Sequence, residues 1–376
     1  MSHLYLHIPF CKQACNYCNF HFSTSLRYKD NMLAALLQEM ELQRHYLPPN
    51  TPLETIYIGG GTPSILDIDD IQLIFEQINR FFTLQNEPEI TLEANPDDLT
   101  PQKLKQLAQY TPINRLSIGI QSFFDADLAF MRRAHNAQQA NAAILTAQEI
   151  GFQNITIDLI YGLPTADDKQ WEGNLDRFFA LKIPHLSAYC LTVEPKTLLA
   201  HLTQSGHVRL DDKQAAAQYD MLCQKTVENG FLHYEISNFG QPAYIARHNT
   251  AYWQAKPYLG IGPSAHSYNQ TSRQWNVANN ARYIKAIQQN TVPAEIEILT
   301  IEQMFNEYLM TGFRTIWGCD LQKISTRFGH EKAQHLLLGV QKYIDTGFVI
   351  RQGDNLCLAQ HARFLADGIV SDLMIV

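Results

Sequence analysis

The feature that most constrains the fold is a regular alternation of short apolar segments with segments of helical periodicity over residues 1–240. The apolar segments, rich in Ile, Leu and Tyr, have the length of strands. Strands that alternate with helices of this length pair in parallel through right-handed crossovers. The predicted strands cover residues 3–8, 55–58, 89–93, 115–120, 155–160 and 185–191, and the clearest predicted helices cover 28–44, 68–82, 101–110, 137–150 and 170–181. Six such units predict an α/β fold with a parallel sheet, either doubly wound or an incomplete barrel.

Glycines or polar residues stand at the ends of several predicted strands. They are Gly59-Gly60-Gly61-Thr62, Glu93-Ala94-Asn95-Pro96, Gln121-Ser122 and Asp158. The carboxyl ends of parallel strands meet at one edge of a sheet, where α/β proteins build their sites. We therefore expect these residues to share one mouth with the loop that follows the first strand.

The pattern changes beyond residue 240. Residues 241–274 contain many aromatic residues, glycines and prolines and show little periodicity, which predicts an ordered loop around one short helix. Together with a helix predicted at 278–289, residues 241–274 belong to a predicted connecting segment that covers residues 241–299. Helices predicted at 301–313, 320–328 and 332–346 precede two short strands around Gly353-Asp354-Asn355. Residues 300–376 are therefore expected to form a smaller helical, winged-helix-like domain that is structural or binds protein.

The formal net charge of −8 disfavours binding to nucleic acid, because an acidic surface repels the phosphate backbone. No window reaches the eighteen or so apolar residues that a transmembrane helix needs. The N-terminus lacks the basic and apolar regions of a secretory signal. We expect a cytoplasmic protein without a transmembrane segment.

Cys11, Cys15 and Cys18 are the most specific feature of the sequence, since three cysteines fall within one short segment. Three thiolates on a four-iron, four-sulfur cluster leave one iron without a protein ligand, and an amino-carboxylate such as the methionine end of S-adenosylmethionine could chelate it. The alternative is a zinc site completed by His7 or His21, although zinc prefers paired C-x2-C spacings. The remaining cysteines are expected to be small buried hydrophobic residues: Cys190, Cys223, Cys319 and Cys357.

The segment Tyr5-Leu-His-Ile-Pro-Phe-Cys11, with the C-x3-C-x2-C spacing after it, resembles the radical S-adenosylmethionine superfamily and in particular its coproporphyrinogen dehydrogenase branch. The resemblance continues through the strand-end motifs, Arg133 and Asp158-Leu-Ile-Tyr-Gly-Leu-Pro164, and covers essentially the whole chain. It implies a partial parallel (βα)6 barrel of radical SAM type.

The resemblance also implies a set of S-adenosylmethionine contacts. The matching residues are Tyr5, Gly60, Gly61, Thr62, Glu93, Gln121, Arg133 and Asp158. Glycines would let the backbone approach the methionine amino group, Arg133 would pair with the carboxylate and Asp158 would hold a ribose hydroxyl. Each of these residues taken singly has another explanation, such as a turn, a buried ion pair or a cap.

One residue and one motif separate the branches of this family. The dehydrogenases carry a fourth cysteine where this chain has Phe20. The HemW-type heme chaperones have phenylalanine there and a His-Asn-x-x-Tyr-Trp motif, which is present here as His248-Asn249-Thr250-Ala251-Tyr252-Trp253. This chain is similar to the chaperones in both respects.

A heme site is also chemically reasonable at this motif. Histidine is a common axial ligand of heme iron, and on a helix His248 and Tyr252 lie on one face. Tyr252 and Trp253 would offer flat apolar surface to a porphyrin, and Arg247 could pair with a propionate. The alternative is that His248 is a hydrogen-bonded residue buried among aromatic rings.

We therefore expect a heme chaperone, not an enzyme, that passes heme to an unidentified acceptor protein, with the cluster and S-adenosylmethionine retained. The second hypothesis is an oxygen-independent coproporphyrinogen III oxidase (HemN), which Phe20 argues against. A third, a radical enzyme that modifies RNA or another macromolecule, is disfavoured by the acidic charge and by the absence of an appended RNA-binding module. A monomer and a dimer both remain open, as does transient docking at a membrane.

Overall fold

The structure is a computed structural model that describes residues 1–375, so Val376 of the predicted C-terminal domain lies outside it. Twelve strands form one sheet in the order β12-β11-β10-β9-β1-β2-β3-β4-β5-β6-β8-β7. They are β1 (Ser2–Ile8), β2 (Leu53–Gly60), β3 (Leu84–Ala94), β4 (Arg115–Gln121), β5 (Asn154–Tyr161), β6 (His185–Cys190), β7 (Leu232–His233), β8 (Asn238–Gly240), β9 (Tyr258–Ile261), β10 (His266–Tyr268), β11 (Ser272–Asn276) and β12 (Ala294–Ile298).

Strands β1 to β6 lie side by side in chain order, and every adjacent pair among them is parallel. The helices of this half are α1 (Lys29–Leu42), α2 (Ile68–Phe81), α3 (Pro101–Tyr110), α4 (Asp125–Phe130), α5 (Ala137–Ile150), α6 (Asp168–Ala180), α7 (Leu198–Gln204) and α8 (Asp212–Glu228). Each strand and helix predicted for residues 1–240 overlaps an observed one. The predicted α/β fold with a parallel sheet is confirmed.

Helix α6 illustrates why these segments fold as they do. Its first turn is closed by a capping box, in which the Asp167 carboxylate accepts from the Gln170 backbone N–H and the Gln170 side chain accepts from Asp167 N–H. Trp171, Leu175 and Phe178 then recur at helical spacing and are buried. Helices α1, α2, α3, α5 and α8 likewise contribute buried apolar side chains to the core that they share with the strands of the sheet.

The prediction of an ordered loop over residues 241–274 is wrong in part. The short helix is present as α9 (Arg247–Trp253), but β9, β10 and β11 follow it and extend the main sheet, with β9 parallel to β1. These strands are only three to five residues long, too short for a period-two pattern to be recognised in the sequence. The structure thus places much of the predicted connecting segment in the main sheet.

The C-terminal part has a hydrophobic core of its own. Helix α10 (Asn280–Gln288) precedes this part and packs in the core of the main unit. The elements of the C-terminal part are α11 (Ile301–Gly312), β13 (Cys319–Asp320), α12 (Leu321–Phe328), α13 (His330–Asp345), β14 (Val349–Gln352), β15 (Asn355–Leu358) and α14 (Ala366–Leu373). The sequence of helices followed by a hairpin agrees with the predicted winged-helix-like module. Of the cysteines expected to be buried, Cys223 and Cys319 are buried, and Cys190 and Cys357 are partly exposed. Among residues 1–375, no helix is long and apolar enough to cross a membrane.

Candidate functional site

A cavity of about 420 Å³ opens at the carboxyl ends of the parallel strands. It is lined by most of the residues predicted for the site: Cys11, Cys15, Cys18, Gly60, Gly61, Thr62, Glu93, Gln121, Arg133 and Asp158. The structure therefore brings the cysteine loop and the ends of β2, β3, β4 and β5 together. Phe20, at the position of the missing fourth cysteine, also lines this cavity and is 71% exposed.

The cysteine loop is held to the end of β2 by close backbone contacts. Gly61 N–H donates to the Ile8 carbonyl at 2.9 Å, and Thr62 N–H donates to the Phe10 carbonyl at 2.7 Å. A Cβ on Gly61 would lie 2.6 Å from the Phe10 oxygen and 3.0 Å from Cys11 Sγ. Glycine is required here because any larger residue would push the loop that carries the thiols.

Arg133 lies beside the cysteines. Its Nη1 is 3.3 Å from Cys15 Sγ, and its Nη2 donates to Asn95 Oδ1 at 2.5 Å and to the Gly119 carbonyl at 2.6 Å. A partly buried guanidinium at this distance stabilises a thiolate. Burial raises the pKa of Cys11 to about 11, so this thiol needs a bound metal to lose its proton near neutral pH.

Two partly buried carboxyl groups line this cavity together with the cysteines. Glu93 accepts a hydrogen bond from Tyr57 Oη at 2.7 Å and another from Gly60 N–H at 3.0 Å. Burial raises the pKa of Glu93 to about 7 and that of Asp158 to about 6. These groups suit a ligand that donates hydrogen bonds, such as an ammonium group or a ribose hydroxyl.

Gln121 is one further residue whose backbone marks the site. It ends β4 with φ +67°, a left-handed conformation that is rare for a residue other than glycine, and its side chain is buried. Such conformations are held in place by surrounding structure and occur frequently at functional sites.

A second cavity, of about 250 Å³, lies next to the first and shares Glu93, Ser117, Asp158 and Tyr189 with it. The rest of its lining comes from Tyr5, Tyr57, Arg115, Ser187, Asn238, Ala246, His248, Asn249 and Tyr252. Tyr5, predicted beside S-adenosylmethionine, thus faces this second cavity, where its hydroxyl is 3.1 Å from His7 Nδ1. The motif helix α9 forms one wall.

His248 is buried, with 2% of its surface exposed, and both its ring nitrogens have partners. Nδ1 is 2.5 Å from Thr55 Oγ1, and Nε2 is 2.9 Å from the Tyr252 hydroxyl. The ring stacks on Tyr57 at a centroid distance of 5.0 Å. Burial holds the pKa of His248 well below its usual range, so the imidazole is neutral. Trp253 is half-buried, and its Nε1 has no partner among the described residues.

The histidines proposed as a fourth zinc ligand are engaged elsewhere. His7 has Nδ1 beside the Tyr5 hydroxyl and Nε2 2.9 Å from the His21 carbonyl oxygen. His21 Nε2 is 2.7 Å from Asn280 Oδ1. Across residues 1–375, no three His, Cys, Asp or Glu side chains are grouped closely enough to hold one metal ion. The ring contacts of His7 and His21 argue against the zinc alternative.

Three residues that contact His248 could not have been singled out from the sequence. Thr55, Tyr57 and Glu89 lie on β2 and β3 and contact His248 or its backbone. They look like ordinary strand residues in the sequence, and only the pairing of distant segments gives them a role. Asn95, the Arg133 partner, was at least part of a strand-end motif.

Comparison with known proteins assigns the two parts of the chain. Residues 5–178 match the Radical SAM superfamily, and residues 299–365 match the HemN C-terminal domain. The solved structure of coproporphyrinogen III oxidase (HemN) from Escherichia coli superposes with a TM-score of 0.84 at 22% identity, covering 99% of this chain and 90% of that one. This likeness confirms the fold.

The curated relatives decide the family. A heme chaperone HemW of Bacillus subtilis is 35% identical over 88% of this chain and 87% of its own length. One from Mycobacterium tuberculosis is 33% identical over 99% of this chain and 94% of its own. This chain belongs to the HemW family of heme chaperones. This assignment agrees with Phe20 and the His248 motif, the two sequence features that favoured HemW within the radical SAM superfamily.

Proposed function

We propose that this HemW-family chain binds heme and transfers it to an acceptor protein, while carrying a four-iron, four-sulfur cluster on Cys11, Cys15 and Cys18. The observation that carries the cluster assignment is that these three thiols line one cavity together with the carboxyl groups at the strand ends, Glu93 and Asp158. Phe20 supplies no thiolate at the fourth position. One iron would then remain open for S-adenosylmethionine, as in the radical SAM superfamily that the chain matches.

The residues of the first cavity fit these two groups. Bound to the chain, the cluster and S-adenosylmethionine would supply one-electron and radical chemistry. Arg133 lies next to Cys15 Sγ and would stabilise the charge on that thiolate. Glu93 and Asp158 would hold an ammonium group and a ribose hydroxyl, and Gly61 leaves the space that the loop needs.

Heme requires a different arrangement of the second cavity. Its volume of about 250 Å³ is below the roughly 300–1,000 Å³ of ordinary small-molecule sites, and heme is a large ligand. His248, the residue that would hold the heme iron, has both ring nitrogens engaged. The described conformation therefore does not fit heme, and heme binding at His248 requires α9 to move.

The heme-carrier function is tested by uptake and transfer. Anaerobically reconstituted protein is loaded with heme, freed of excess and mixed with apomyoglobin as a generic acceptor. We expect the heme absorption spectrum to shift to that of myoglobin, with the chain left folded and heme-free. Failure of the chain to take up heme, or retention of heme against excess apomyoglobin, would contradict the proposal.

The competing function is oxygen-independent oxidation of coproporphyrinogen III, which the likeness in fold to HemN keeps open. The same reconstituted protein, given coproporphyrinogen III, S-adenosylmethionine and a reductant without oxygen, should form no protoporphyrinogen. Sustained turnover would assign the chain to the enzyme. A Phe20→Cys variant is the matched control, since it restores the fourth cysteine of the dehydrogenases.

A further inference from the structure

Asn95 lies between two residues of the first cavity and bonds to both. Its side-chain Oδ1 accepts from Arg133 Nη2 at 2.5 Å, and its Nδ2 donates to Thr62 Oγ1 at 3.2 Å. We propose that Asn95 is a positioning residue: it fixes the Arg133 guanidinium against Cys15 Sγ, and the N–H···S bond held in this way raises the reduction potential of the cluster. The inference rests on the proposed cluster and adds to it the residues that set its potential.

The guanidinium of Arg133 is directed by one of its nitrogens. Nη2 carries two hydrogens, and both are used, one by Asn95 Oδ1 and the other by the Gly119 carbonyl at 2.6 Å. Because a guanidinium is planar, fixing Nη2 in two bonds also fixes the direction of Nη1. Nη1 donates to Cys15 Sγ at 3.3 Å. This bond uses one of its two hydrogens, so the arrangement is compatible with the S-adenosylmethionine carboxylate as a further partner.

The amide of Asn95 can take only one orientation here. A guanidinium has donors and no acceptor, so the atom that faces Arg133 must be the oxygen, and the nitrogen must face Thr62. The backbone of Asn95 is fixed as well, since its N–H donates to Ser64 Oγ at 3.2 Å and its carbonyl accepts from Asp98 N–H at 3.1 Å. A side chain that is bonded at both ends, on a fixed backbone, holds the guanidinium in one place.

The bond to Cys15 acts on the charge of the cluster. Reduction adds one electron, which dithionite supplies in the experiment below, and makes the cluster and its thiolates more negative. A charged donor to a ligand sulfur therefore bonds more strongly to the reduced state, and hydrogen bonds to the sulfurs tune the potentials of iron–sulfur clusters. A difference of about one ordinary hydrogen bond between the two states changes the equilibrium constant for reduction about tenfold, which is about 59 mV for one electron.

The decisive variant is Asn95→Leu, which has a similar volume and removes both bonds of the amide. Arg133 Nη2 then keeps one of its two partners, and the guanidinium is free to swing away from Cys15. We expect the midpoint potential to fall by about 59 mV, the tenfold change above, in a dithionite titration followed by EPR without S-adenosylmethionine. Asn114→Leu is the matched control, because the Asn114 side chain also forms two hydrogen bonds but lies at the amino-terminal end of β4. It should keep the wild-type potential.

A double-mutant cycle tests whether Asn95 acts through Arg133. In an Arg133→Met background, Asn95→Leu should cause no further change in potential, because the guanidinium that it directs is gone. Asn95→Ser is a second variant, whose side chain is too short to reach Arg133, and it should also lower the potential of the otherwise wild-type chain.

Iron and sulfide content is measured on every sample before its titration. A wild-type potential in the Asn95 variants, or an undiminished shift of Asn95→Leu in the Arg133→Met background, would overturn the positioning role and leave the cluster assignment standing. Loss of the cluster in both Asn95 variants would overturn it as well, because Asn95 would then be needed for assembly and not for the potential. If wild type itself assembles no cluster, the proposed cluster and this inference both fail.

Discussion

Glu89 gives the clearest test of how the motif helix is attached. This carboxylate is 3% exposed and accepts both backbone N–H groups at the start of α9, those of Arg247 and His248. Glu89→Ala would leave the buried His248 N–H without a partner, at about 1–3 kcal/mol, while the N–H of half-buried Arg247 would regain water at a smaller cost. We expect a loss of about 2–4 kcal/mol in the free energy of unfolding. Glu89→Gln, which keeps one carbonyl acceptor, should lose about half as much.

The measurement is urea unfolding followed by tryptophan fluorescence, with the free energies extrapolated to water. Glu54→Ala is the matched control, because Glu54 also reaches the region of α9 but through a partly exposed ion pair with Lys256. Such pairs contribute less than about 1 kcal/mol. A loss below about 0.5 kcal/mol for Glu89→Ala, or a loss no larger than that of Glu54→Ala, would show that the carboxylate does not hold the helix.

Three further predictions concern the first cavity. Cys15→Ala should abolish the visible absorption of the reconstituted cluster, whereas Cys223→Ala, at a buried thiol away from the cavity, should keep it. Equal spectra for the two variants would contradict the assignment of Cys15 as a cluster ligand. Gly61→Ala should lower cluster incorporation severalfold in iron and sulfide analysis, because the added Cβ would lie 2.6 Å from the Phe10 carbonyl oxygen. Full incorporation would show that the cysteine loop can move to make room for the methyl group. The burial of Glu93 raises its pKa from 4.5 to about 7. Between these two pH values the folded chain keeps a proton that the unfolded chain loses. The free energy of unfolding should therefore fall by roughly 3 kcal/mol as the pH rises from about 4.5 to about 7. Glu93→Gln should lack this part of the pH dependence in urea unfolding at pH 4 to 8, and identical slopes would contradict the shift.

The main sheet was predictable because its signals are local. Strands β1 to β6 are apolar segments between helices, and the crossover rule fixes their parallel pairing. The extension through β9, β10 and β11 was missed because those strands are very short. Their attachment depends on contacts far apart in the chain, such as Glu39 of α1, which accepts from Gly262 N–H and from Asn276. A pattern within one segment cannot carry that information.

The candidate site divides in the same way. The cysteines and strand-end residues could be proposed from their spacing and position, and the structure gathers them in one cavity. Tyr5 instead faces the second cavity, since it lies within β1 and not at its end. The closed environment of His248 could not be foreseen, because Thr55 and Glu89 contact it from strands that lie 193 and 159 residues earlier in the chain.

The central claim is that this chain binds heme through His248, and an equilibrium heme titration under anaerobic conditions tests it most directly. Wild type, His248→Ala and His45→Ala, a control at an exposed histidine, are reconstituted and titrated side by side, with folding checked by circular dichroism. We predict a saturable, stoichiometric change in the heme absorption spectrum for wild type and His45→Ala, and its loss in His248→Ala. Heme binding that is the same in all three proteins would contradict His248 as the ligand, and no binding in any of them would contradict the account as a whole.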